Sequence, residues 1–353
     1  MKKFDYIIVG QGLAGTCLAF QLRCQNKSVF VVDKHRENTS SKVALGVYNP
    51  MVLKRFTPCW KVEEQIEPLY NFLDAFESIF DETIHTRLKL FRKLNNVFEQ
   101  NLWSEKSQKS RLISFMNPEL ITYNHPNISS IFGFGEVYCA GKVNLSEMIS
   151  LFRKKLISEK FLLNEEFDFN ALNVENNRVV YKNYEASKIV FCEGSRLPKN
   201  PFFNHLPLMR TKGELLIVEL KNLKLKELLK SSITLLPLGK DIYKVGATFN
   251  WEQKDEICTE FAKDELLDKL KDLVHIQPRI IKHQAALRPT VKDRRALLGS
   301  HSKYSQVYVF NGLGTRGLLL APYLSLQLIQ YMEQQISLDA EVDVKRYQNQ
   351  VIC

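Results

Sequence analysis

The stretch D-Y-I-I-V-G-Q-G-L-A-G-T-C-L-A-F-Q-L-R-C-Q-N-K-S-V-F-V-V-D, residues 5–33, decides the fold of this chain. Its apolar start is typical of a buried parallel strand, which leads directly into Gly10, Gly12 and Gly15 with G-x-G-x-x-G spacing. In this pattern the first glycine permits a tight turn, the second lets the backbone approach a pyrophosphate, and the third lets helix and strand pack closely. Asp33 ends the second strand, where an acid meets ribose hydroxyls, and a turn needed only for packing would leave it unexplained. The stretch therefore predicts a dinucleotide-binding βαβ unit with the pyrophosphate at the helix N-terminus.

Composition indicates an ordinary globular protein. The 353 residues suggest about two domains, and 45% of them are hydrophobic and 25% charged. There is no run of about 18 apolar residues, so no transmembrane helix is predicted. Residues 1–3 lead into a strand and not into a secretory signal, so we expect a cytoplasmic protein. Seven cysteines without C-x-x-C pairs predict free thiols and no metal site.

The net charge is +10, from 49 lysines and arginines against 39 aspartates and glutamates. A basic protein can bind nucleic acid or an anionic membrane surface. The positive residues are spread along the chain, however, with short clusters at 87–93, 153–155, 221–230 and 292–295. We interpret 221–230 as the solvated face of a lysine-rich helix. Nucleic-acid binding is a hypothesis that the sequence allows but does not favour.

Periodicity along the rest of the chain predicts alternating sheet and helix segments. The polar stretch 35–60 is long for a loop inside a compact domain, and we expect it to wrap around a ligand. Strands are predicted at 88–91, 131–134, 213–249 and 307–311, with a hairpin at 174–181 and a buried strand ending at Gly194. Helices are predicted at 62–80, after a cap at Asn144, at 259–273 and at 318–335. Sheet segments near the start, middle and end imply a nucleotide-binding domain assembled from separate pieces.

A second glycine-rich turn, G-L-G-T-R-G at 312–317, joins the last strand to the last helix. Its backbone N–H groups, together with the helix dipole, suit an anionic ligand group. Two such junctions in one sheet predict a large cofactor that lies across both.

With these motifs the chain resembles the D-amino-acid-oxidase-like FAD-dependent oxidoreductases over essentially its whole length. The motifs that carry the resemblance are V-G-Q-G-L-A-G (9–15), S-S-K-V-A-L-G (40–46), K-G-E (212–214), Y-K-V-G-A-T-F (243–249), A-L-R-P-T-V-K-D (286–293), A-L-L-G (296–299) and N-G-L-G-T-R-G-L-L-L-A-P (311–322). Within the family, Y-x-V-G-A-T together with L-R-P is similar to glycine oxidase. G-L-G-T-R-G-L and the G-x-x-x-P at 46–50 are more similar to the flavin half of the bifunctional enzyme that matures a wobble uridine of tRNA.

The resemblance implies an α/β fold, with a Rossmann-like FAD-binding domain assembled from discontinuous segments and a β-rich α+β substrate domain. The FAD-binding domain is expected to comprise residues 1–70, 141–205 and 285–353, and the substrate domain 71–140 and 206–284. Some relatives attach flavin covalently to a cysteine in the segment that corresponds to 284–299. Because no cysteine lies there, we expect FAD to be bound non-covalently.

The activity that the resemblance implies is oxidation of a C–N bond in a small amine or amino acid. A hydride leaves the carbon beside a neutral amine for flavin N5 and the imine then hydrolyses, so positioning matters more than a protein base. Arg288 is expected to clamp a substrate carboxylate, with a surface ion pair as the alternative. Tyr243 is expected to hydrogen-bond the substrate, with a core aromatic as the alternative. Arg316 is expected to hold the substrate or stabilise the reduced flavin.

The same resemblance assigns the residues that bind the cofactor. Those near the pyrophosphate and ribose are Gly10, Gly12, Leu13, Ala14, Gly15, Asp33 and Lys34. Those near the phosphate or ribityl groups are Ser40, Ser41 and Lys42, and those along the isoalloxazine are Ala44, Leu45 and Gly46. Adenine is expected at the backbone of Phe167 or Val174, with Gly194 at the strand end nearby. The last turn contributes Gly312, Gly314, Thr315, Arg316, Gly317 and Leu318, and the N–H groups of 314–318 are expected to meet flavin N1 and the C2 carbonyl.

Two other hypotheses stay open at this point. The amine could sit on a wobble uridine of tRNA, which would use the +10 charge, or the chain could be a flavin-binding scaffold without catalysis. An NAD-only dehydrogenase would not explain the second glycine turn, and a flavin monooxygenase would carry a G-D motif before the last helix. The sequence leaves the amine, the electron acceptor and the oligomeric state open.

Overall fold

The computed structural model describes residues 1–123, 125–128 and 130–350. Its helices are α1 (Leu13–Cys24), α2 (Ser40–Val43), α3 (Val62–Phe80), α4 (Val97–Ser107), α5 (Leu145–Ser158), α6 (Glu260–Lys271) and α7 (Gly317–Gln334). Its strands are β1 (Lys2–Val9), β2 (Val29–Val32), β3 (Val47–Tyr48), β4 (Met51–Val52), β5 (Thr57–Pro58), β6 (His85–Arg87), β7 (Leu90–Lys93), β8 (Met116–Ile121), β9 (Phe134–Val137), β10 (Gly141–Val143), β11 (Leu162–Leu163), β12 (Leu172–Val174), β13 (Val179–Tyr181), β14 (Tyr184–Phe191), β15 (Leu208–Glu219), β16 (Leu228–Lys230), β17 (Thr234–Gly239), β18 (Ile242–Gly246), β19 (Arg279–Val291), β20 (Leu297–Ser300) and β21 (Val307–Asn311).

The first sheet is parallel at its centre and carries both glycine turns. Its order is β11-β2-β1-β14-β21-β20, and the hairpin β12–β13 pairs antiparallel with the start of β14. Strands β11, β2, β1, β14 and β21 run parallel to one another. Since parallel strands end at the same edge of a sheet, the turns after β1 and β21 emerge there with only β14 between them.

The second sheet forms the floor that faces this edge. Its order is β19-β15-β18-β17-β16-β7-β9-β8, and its neighbours pair antiparallel except for β16 with β7. The long strands β15 and β19 pair from Leu208 with Val291 to Glu219 with Arg279. These two strands bring the K-G-E and A-L-R-P motifs side by side. Smaller sheets, β3-β10-β6 and β4-β5, lie within the connecting segments.

Three apolar layers hold the sheets in place. Helices α1, α3 and α7 pack through a large core that includes Leu18, Phe72 and Leu324. Aromatic side chains such as Phe191 cover the other face of the first sheet. The face of the second sheet that is turned away from the first packs against α6, for example through Leu266. Among the helices of the described residues, none is long and apolar enough to cross a bilayer.

Most of the predicted elements are present in the structure. The helix predicted at 62–80 is α3, and the strand predicted at 307–311 is β21. The predicted cap is confirmed, because the Asn144 side chain accepts the Glu147 N–H at 3.3 Å at the start of α5. The first sheet takes strands from 2–32, 162–191 and 297–311, and the second from 90–137 and 208–291. The exact domain boundaries stay a prediction.

Three predictions of local structure are wrong. The segment 221–230 is a turn that leads into strand β16, and not a helix. Leu223 and Leu225 are both buried although they lie two residues apart, which is the period of an extended chain. The run predicted as a strand at 131–134 is mostly a turn, since β9 begins only at Phe134. Helix α4 lies in a segment for which only β-like runs were predicted, and it is capped by Asn96, whose side chain accepts the Glu99 N–H.

Candidate cofactor and substrate site

The turn after β1 leaves no room for side chains at two of its three glycines. Gly10 has a φ of +97°, and a Cβ there would lie 2.6 Å from the carbonyl oxygen of Cys192 just after β14. A Cβ on Gly15 would lie 1.9 Å from the carbonyl oxygen of Gly10, so α1 packs directly on the turn. A Cβ on Gly12 would meet only the Ser41 hydroxyl, at 3.2 Å. The second glycine therefore borders the open cleft, where phosphates approach the backbone in this kind of turn.

The N-terminus of α1 opens onto the same cleft. The Leu13 N–H donates to the Ser41 hydroxyl at 3.0 Å, and Gly12 supplies no capping side chain. Because the first turn of a helix leaves N–H groups without intrahelical partners, this end attracts anions. Ser40 and Ser41, at the start of α2, line the cleft together with Gly12, Leu13 and Ala14. The structure thus brings together in the cleft five of the residues predicted near the pyrophosphate, ribose, phosphate or ribityl groups, namely Gly12, Leu13, Ala14, Ser40 and Ser41.

Asp33 is fixed by a buried arginine that sequence reasoning assigned only to a surface cluster. Its Oδ1 accepts the Gln11 N–H at 2.9 Å, and its Oδ2 accepts Nη1 of Arg153 at 2.7 Å. Arg153, on α5, also donates to the Gln11 side chain at 3.0 Å and to Asn164 at 2.8 Å. The arginine side chain is 8% exposed and that of Asp33 is 21% exposed. The carboxylate therefore keeps a fixed place beside the glycine turn and retains lone pairs for a ligand hydroxyl.

The turn after β21 is built less tightly than the first. Gly314 has a φ of +59°, and its N–H donates to the Pro289 carbonyl at 2.8 Å, so this group is not free for a ligand. The expectation that Gly314 offers its N–H to the flavin is therefore wrong. Among residues 314–318, the N–H groups that find no acceptor in the described part of the chain are those of Thr315, Gly317 and Leu318. These donors lie at the N-terminus of α7, which faces the cleft.

Arg316 lines the cleft, but its guanidinium is already engaged. Nη1 and Nη2 both donate to the carbonyl oxygen of Met51 at 3.3 Å, and Nη1 also contacts the sulfur of Cys59. Burial raises the pKa of the Cys59 thiol to about 11. Arg316 thus ties the start of α7 to the 35–60 segment. Its action on a substrate or on reduced flavin stays a prediction.

Residues 44–46 form a wall between the helix N-termini and the second sheet. Gly46 has a φ of +75°, and a Cβ there would lie 2.2 Å from the carbonyl oxygen of Val143. On the other side, the Lys244 ammonium donates to the Ala44 carbonyl at 3.2 Å. Burial lowers the pKa of Lys244. The wall is therefore held against β10 and against β18.

Arg288 lies on the floor of the cleft without an acidic partner. Nη1 and Nη2 each donate to the carbonyl oxygen of Thr248 at 3.2 Å, and the guanidinium lies 5.5 Å from the centre of the Phe249 ring. A Cβ on Gly213 would lie 2.0 Å from Nη2, so the glycine of K-G-E makes room for this side chain. Across the described residues, no carboxylate forms an ion pair with Arg288, and burial lowers its pKa to about 10. The guanidinium stays protonated at neutral pH and suits the carboxylate of a ligand.

Tyr243 does not lie in the cleft. Its side chain is 2% exposed in the core on the opposite face of the second sheet, and its hydroxyl accepts the Leu225 N–H at 3.0 Å. Gly246, three residues further along β18, lines the cleft instead. The expectation that Tyr243 bonds a substrate is therefore corrected, and the alternative of a core aromatic describes it. Strand periodicity places residues 243 and 246 on opposite faces.

These elements enclose a cleft of about 440 Å³ between the two sheets. The predicted site residues that line it are Gly12, Leu13, Ala14, Ser40, Ser41, Ala44, Leu45, Gly46, Gly194, Arg288, Gly314, Thr315, Arg316, Gly317 and Leu318. Those that do not line it are Gly10, Gly15, Asp33, Lys34, Lys42, Phe167, Tyr243 and Gly312. Of these, Phe167 stacks on Tyr181 with 4.3 Å between ring centres, Lys34 lies 3.7 Å from Glu166, and Lys42 lies 3.1 Å from His35.

Sequence reasoning missed three ionisable residues at the site. Arg153 fixes Asp33, and Lys230 lines the cleft at the end of β16. Glu193 follows β14 beside the first turn, where Asn200 donates to it at 2.6 Å and burial raises its pKa to about 7. An acid directly after the apolar run that ends at Cys192 was the signal available for Glu193. Lys230 gave no such signal, because its segment was predicted to be a helix.

Among the described residues, one group of side chains brings metal-ligand atoms close together, namely Glu214, Cys258 and His283. The buried Glu214 carboxylate, however, already accepts the N–H and hydroxyl of Thr259 at 2.8 and 2.9 Å. His283 Nε2 lies 2.9 Å from the same carboxylate, and the Lys212 ammonium lies 3.5 Å from it. These partners satisfy the carboxylate, so the group is explained without an ion. The expected absence of a metal site stays a prediction.

A parallel sheet with two glycine turns at one edge, facing a β-rich floor across a cleft, defines a dinucleotide-binding protein. The family model described as DAO, FAD dependent oxidoreductase, matches residues 5–330, and the chain belongs to this family. Glycine oxidase from Geobacillus kaustophilus has a TM-score of 0.81 to this chain at 16% identity, over 96% of each chain. Iminodiacetate oxidase from Chelativorans sp. BNC1 has a TM-score of 0.81 at 15% identity, over 96% of this chain and 98% of its own.

The chain is thus an FAD-dependent oxidoreductase, and the predicted family, α/β fold class and cofactor are confirmed. The residues present fit FAD. Two helix N-termini offer unpartnered N–H groups in one cleft, and an acid lies beside the first turn. At Gly12 only a hydroxyl lies near the position of a Cβ, so the backbone is open to a phosphate. The non-covalent mode of binding stays a prediction.

Proposed function

We propose that this enzyme oxidises a C–N bond of a small amine or amino acid that carries a carboxylate. The observation that supports this most is Arg288, a buried guanidinium on the cleft floor for which the described residues offer no acidic partner. It faces the edge of the first sheet, where the cofactor is expected. The names of the similar structures, glycine oxidase and iminodiacetate oxidase, support the same class of substrate.

We infer that FAD lies across both glycine turns. The N-terminus of α1 at residues 12–14, with Ser41, would hold the pyrophosphate, and Asp33 would bind the ribose. The free N–H groups of Gly317 and Leu318 would face the flavin edge at N1 and C2, where negative charge develops on reduction. The spacing of these groups along one sheet edge supports the assignment.

When bound, FAD supplies the acceptor for a hydride from the substrate carbon. The protein orients the substrate: Arg288 binds both carboxylate oxygens, while the Thr248 carbonyl and the Phe249 ring fix the guanidinium. Among the described residues that line the cleft there is no aspartate, glutamate or histidine. The reacting amine is therefore bound neutral. As the hydride departs with the bonding electron pair, the nitrogen lone pair forms the C=N bond of an iminium ion. This ion releases its proton to water as the imine, and water then hydrolyses the C=N bond.

The test is anaerobic bleaching of the yellow FAD-loaded protein by glycine, sarcosine, proline and D-amino acids. We expect Arg288→Ala to keep FAD but to raise KM for carboxylated amines by about 100-fold, the worth of a lost charge-assisted pair. Arg279→Ala is the matched control, because Arg279 lies on the same strand, is exposed and pairs with Glu219. If carboxylated amines bleach the flavin of the wild type and of Arg288→Ala equally well, Arg288 does not clamp a substrate carboxylate. Bleaching by no amine would favour a flavin-binding scaffold.

The tRNA hypothesis is tested separately with hypomodified tRNA. Binding through phosphate contacts would weaken steeply as salt rises, because counterions are released on association. No binding at low salt would exclude this alternative. If tRNA bleaches the flavin and none of the small amines does, the tRNA hypothesis replaces the small-molecule proposal.

A further inference from the structure

Lys230 is a second cation in the cleft that lacks a counter-charge. It ends β16, lines the cleft, and its ammonium has one acceptor, the Ser232 carbonyl, at the long distance of 3.4 Å. Throughout the described chain, no carboxylate lies within ion-pair distance of it. A largely buried ammonium with one weak hydrogen bond is poorly compensated for its lost hydration.

The charges around Lys230 further disfavour its buried ammonium form. The nearest ones are Arg92 on β7 and Lys269 on α6, and both are cations. Each of these has its own acidic partner, Glu99 for Arg92 and Glu265 for Lys269. Burial and these two cations lower the pKa of Lys230 to about 8. At neutral pH the ammonium form still dominates, so this side of the cleft presents a net positive charge to whatever occupies it.

The sheet register places Lys230 on the same face as the substrate floor. Lys230 pairs with Thr234, Thr234 with Gly246, and Gly246 with Leu215 across β16, β17, β18 and β15. All four residues line the cleft. The Arg288 guanidinium lies over Gly213, at the other end of this floor. Three strand spacings, about 14 Å, separate the strands at the two ends of this floor.

We propose that the substrate carries two carboxylates, one beside the reacting amine on Arg288 and one at its far end on Lys230. The substrate class is then an N-(carboxyalkyl) amino acid, or an acidic amino acid, whose two anionic groups lie apart along the floor from β15 to β16. This rests on the proposed amine oxidation, and it names the substrate class of the same site. Arg288 and Lys230 are separated, and neither pairs with an acid among the described residues. They select such a molecule over an amine whose far end carries no charge, because an uncharged end leaves the Lys230 ammonium uncompensated.

The test compares glycine N-substituted by ω-carboxyalkyl chains of increasing length with the matching ω-amides. In wild type we expect kcat/KM to favour the acid over the amide by about 30-fold at the best length, mainly through KM. In Lys230→Met the acid-to-amide ratio of kcat/KM should fall to near one, and Lys230→Arg should restore most of it. Lys226→Met, an exposed lysine of the preceding segment, is the matched control. An unchanged acid-to-amide ratio in Lys230→Met would overturn the proposal.

A binding measurement separates this proposal from the amine-oxidase proposal. Suberate, an eight-carbon dicarboxylate that cannot be oxidised at a C–N bond, is titrated into the FAD-loaded protein and followed by the flavin spectrum. If suberate binds more tightly than octanoate, and this difference is lost in Lys230→Met, the two-carboxylate site is supported even if no amine bleaches the flavin. Equal binding of the two would overturn it even if simple amines are oxidised. A Lys230 effect on tRNA binding alone would also overturn it.

Discussion

The two glycine turns of this chain look alike in sequence but are constrained in different ways. At the first turn, Cβ atoms on Gly10 and Gly15 would strike backbone oxygens at 2.6 and 1.9 Å. At the second turn, Cβ atoms on Gly312 and Gly317 would meet side-chain carbons of Val291 and Leu13, at 2.9 and 2.8 Å. Side chains can move and a packed backbone cannot. The first turn is therefore a rigid element of the fold, whereas the second depends on its neighbours.

The surroundings of the two turns differ in the same sense. The first is fixed by charges, since Arg153 binds both Asp33 and Gln11, and Glu193 lies beside Gly10. The second is held by hydrogen bonds to carbonyl oxygens, from Gly314 to Pro289 and from Arg316 to Met51. A rigid, charged turn suits the part of the cofactor that does not react, its pyrophosphate and ribose. A turn held by contacts that can adjust suits the flavin end of the cofactor, beside the substrate.

Gly15→Ala is expected to have the largest effect. Its Cβ would force α1 away from the turn, which should lower the free energy of unfolding by about 4 kcal/mol or more and abolish FAD retention. Gly317→Ala is the matched change at the second turn and should cost about 1 kcal/mol, because the Leu13 side chain can shift. Thermal unfolding and the flavin content of the purified proteins measure both. Equal losses in the two variants would show that the turns are equally rigid.

Arg153→Met should come next. It removes the charge that compensates Asp33 and leaves polar partners unsatisfied, so we expect a loss of about 3 kcal/mol and weaker FAD binding. The control is Lys155→Met on the same helix, whose exposed pair with Glu159 should be worth less than about 0.5 kcal/mol. Chemical denaturation and FAD titration of the apoprotein give the two quantities. If Arg153→Met behaved like its control, charge would not fix the first turn.

Glu193→Gln is expected to stabilise the protein, but only at high pH. Burial raises the pKa of Glu193 to about 7, so the folded state holds a proton that the unfolded state has lost above about pH 4.5. The contribution of Glu193 to the wild-type free energy of unfolding is therefore highest below about pH 4.5, and it falls as the pH rises through 7. At pH 8 the glutamine variant should exceed wild type by about 3 kcal/mol, and at pH 5 by less than about 1 kcal/mol. A constant difference between pH 5 and 8 would contradict this assignment.

Gly314→Ala should have the smallest effect. Its φ of +59° costs a side chain about 1 kcal/mol, while its Cβ would meet only the Thr290 methyl at 3.8 Å. We therefore expect stable protein with FAD bound and a small change in melting temperature. A loss comparable to that of Gly15→Ala would mean that the second turn is as tightly constrained as the first.

The sequence predicted best what depends on neighbouring residues. The first strand, the glycine spacing, the second strand and Asp33 form one continuous local pattern, and the cap at Asn144 needs only the N–H of Glu147. It predicted worst where two periodicities compete. The lysines and leucines of 221–230 predict a helix, but Leu223 and Leu225 are both buried as in an extended chain, and Lys230 lines the cleft. Tyr243 was misplaced for a related reason, because a strand residue can face either side.

The sequence by itself determined the family, the cofactor and the tight first turn, because the glycine spacing on which they depend allows backbone conformations that other residues rarely adopt. Only the tertiary structure decided which charges are compensated. Arg153 finds Asp33 across 120 residues, whereas Arg288 and Lys230 find no acid in the described chain. Whether a charge is paired depends on distances in space, and sequence spacing does not contain them. The proposed specificity therefore rests on two cations that look no different in sequence from the other lysines and arginines of a basic chain.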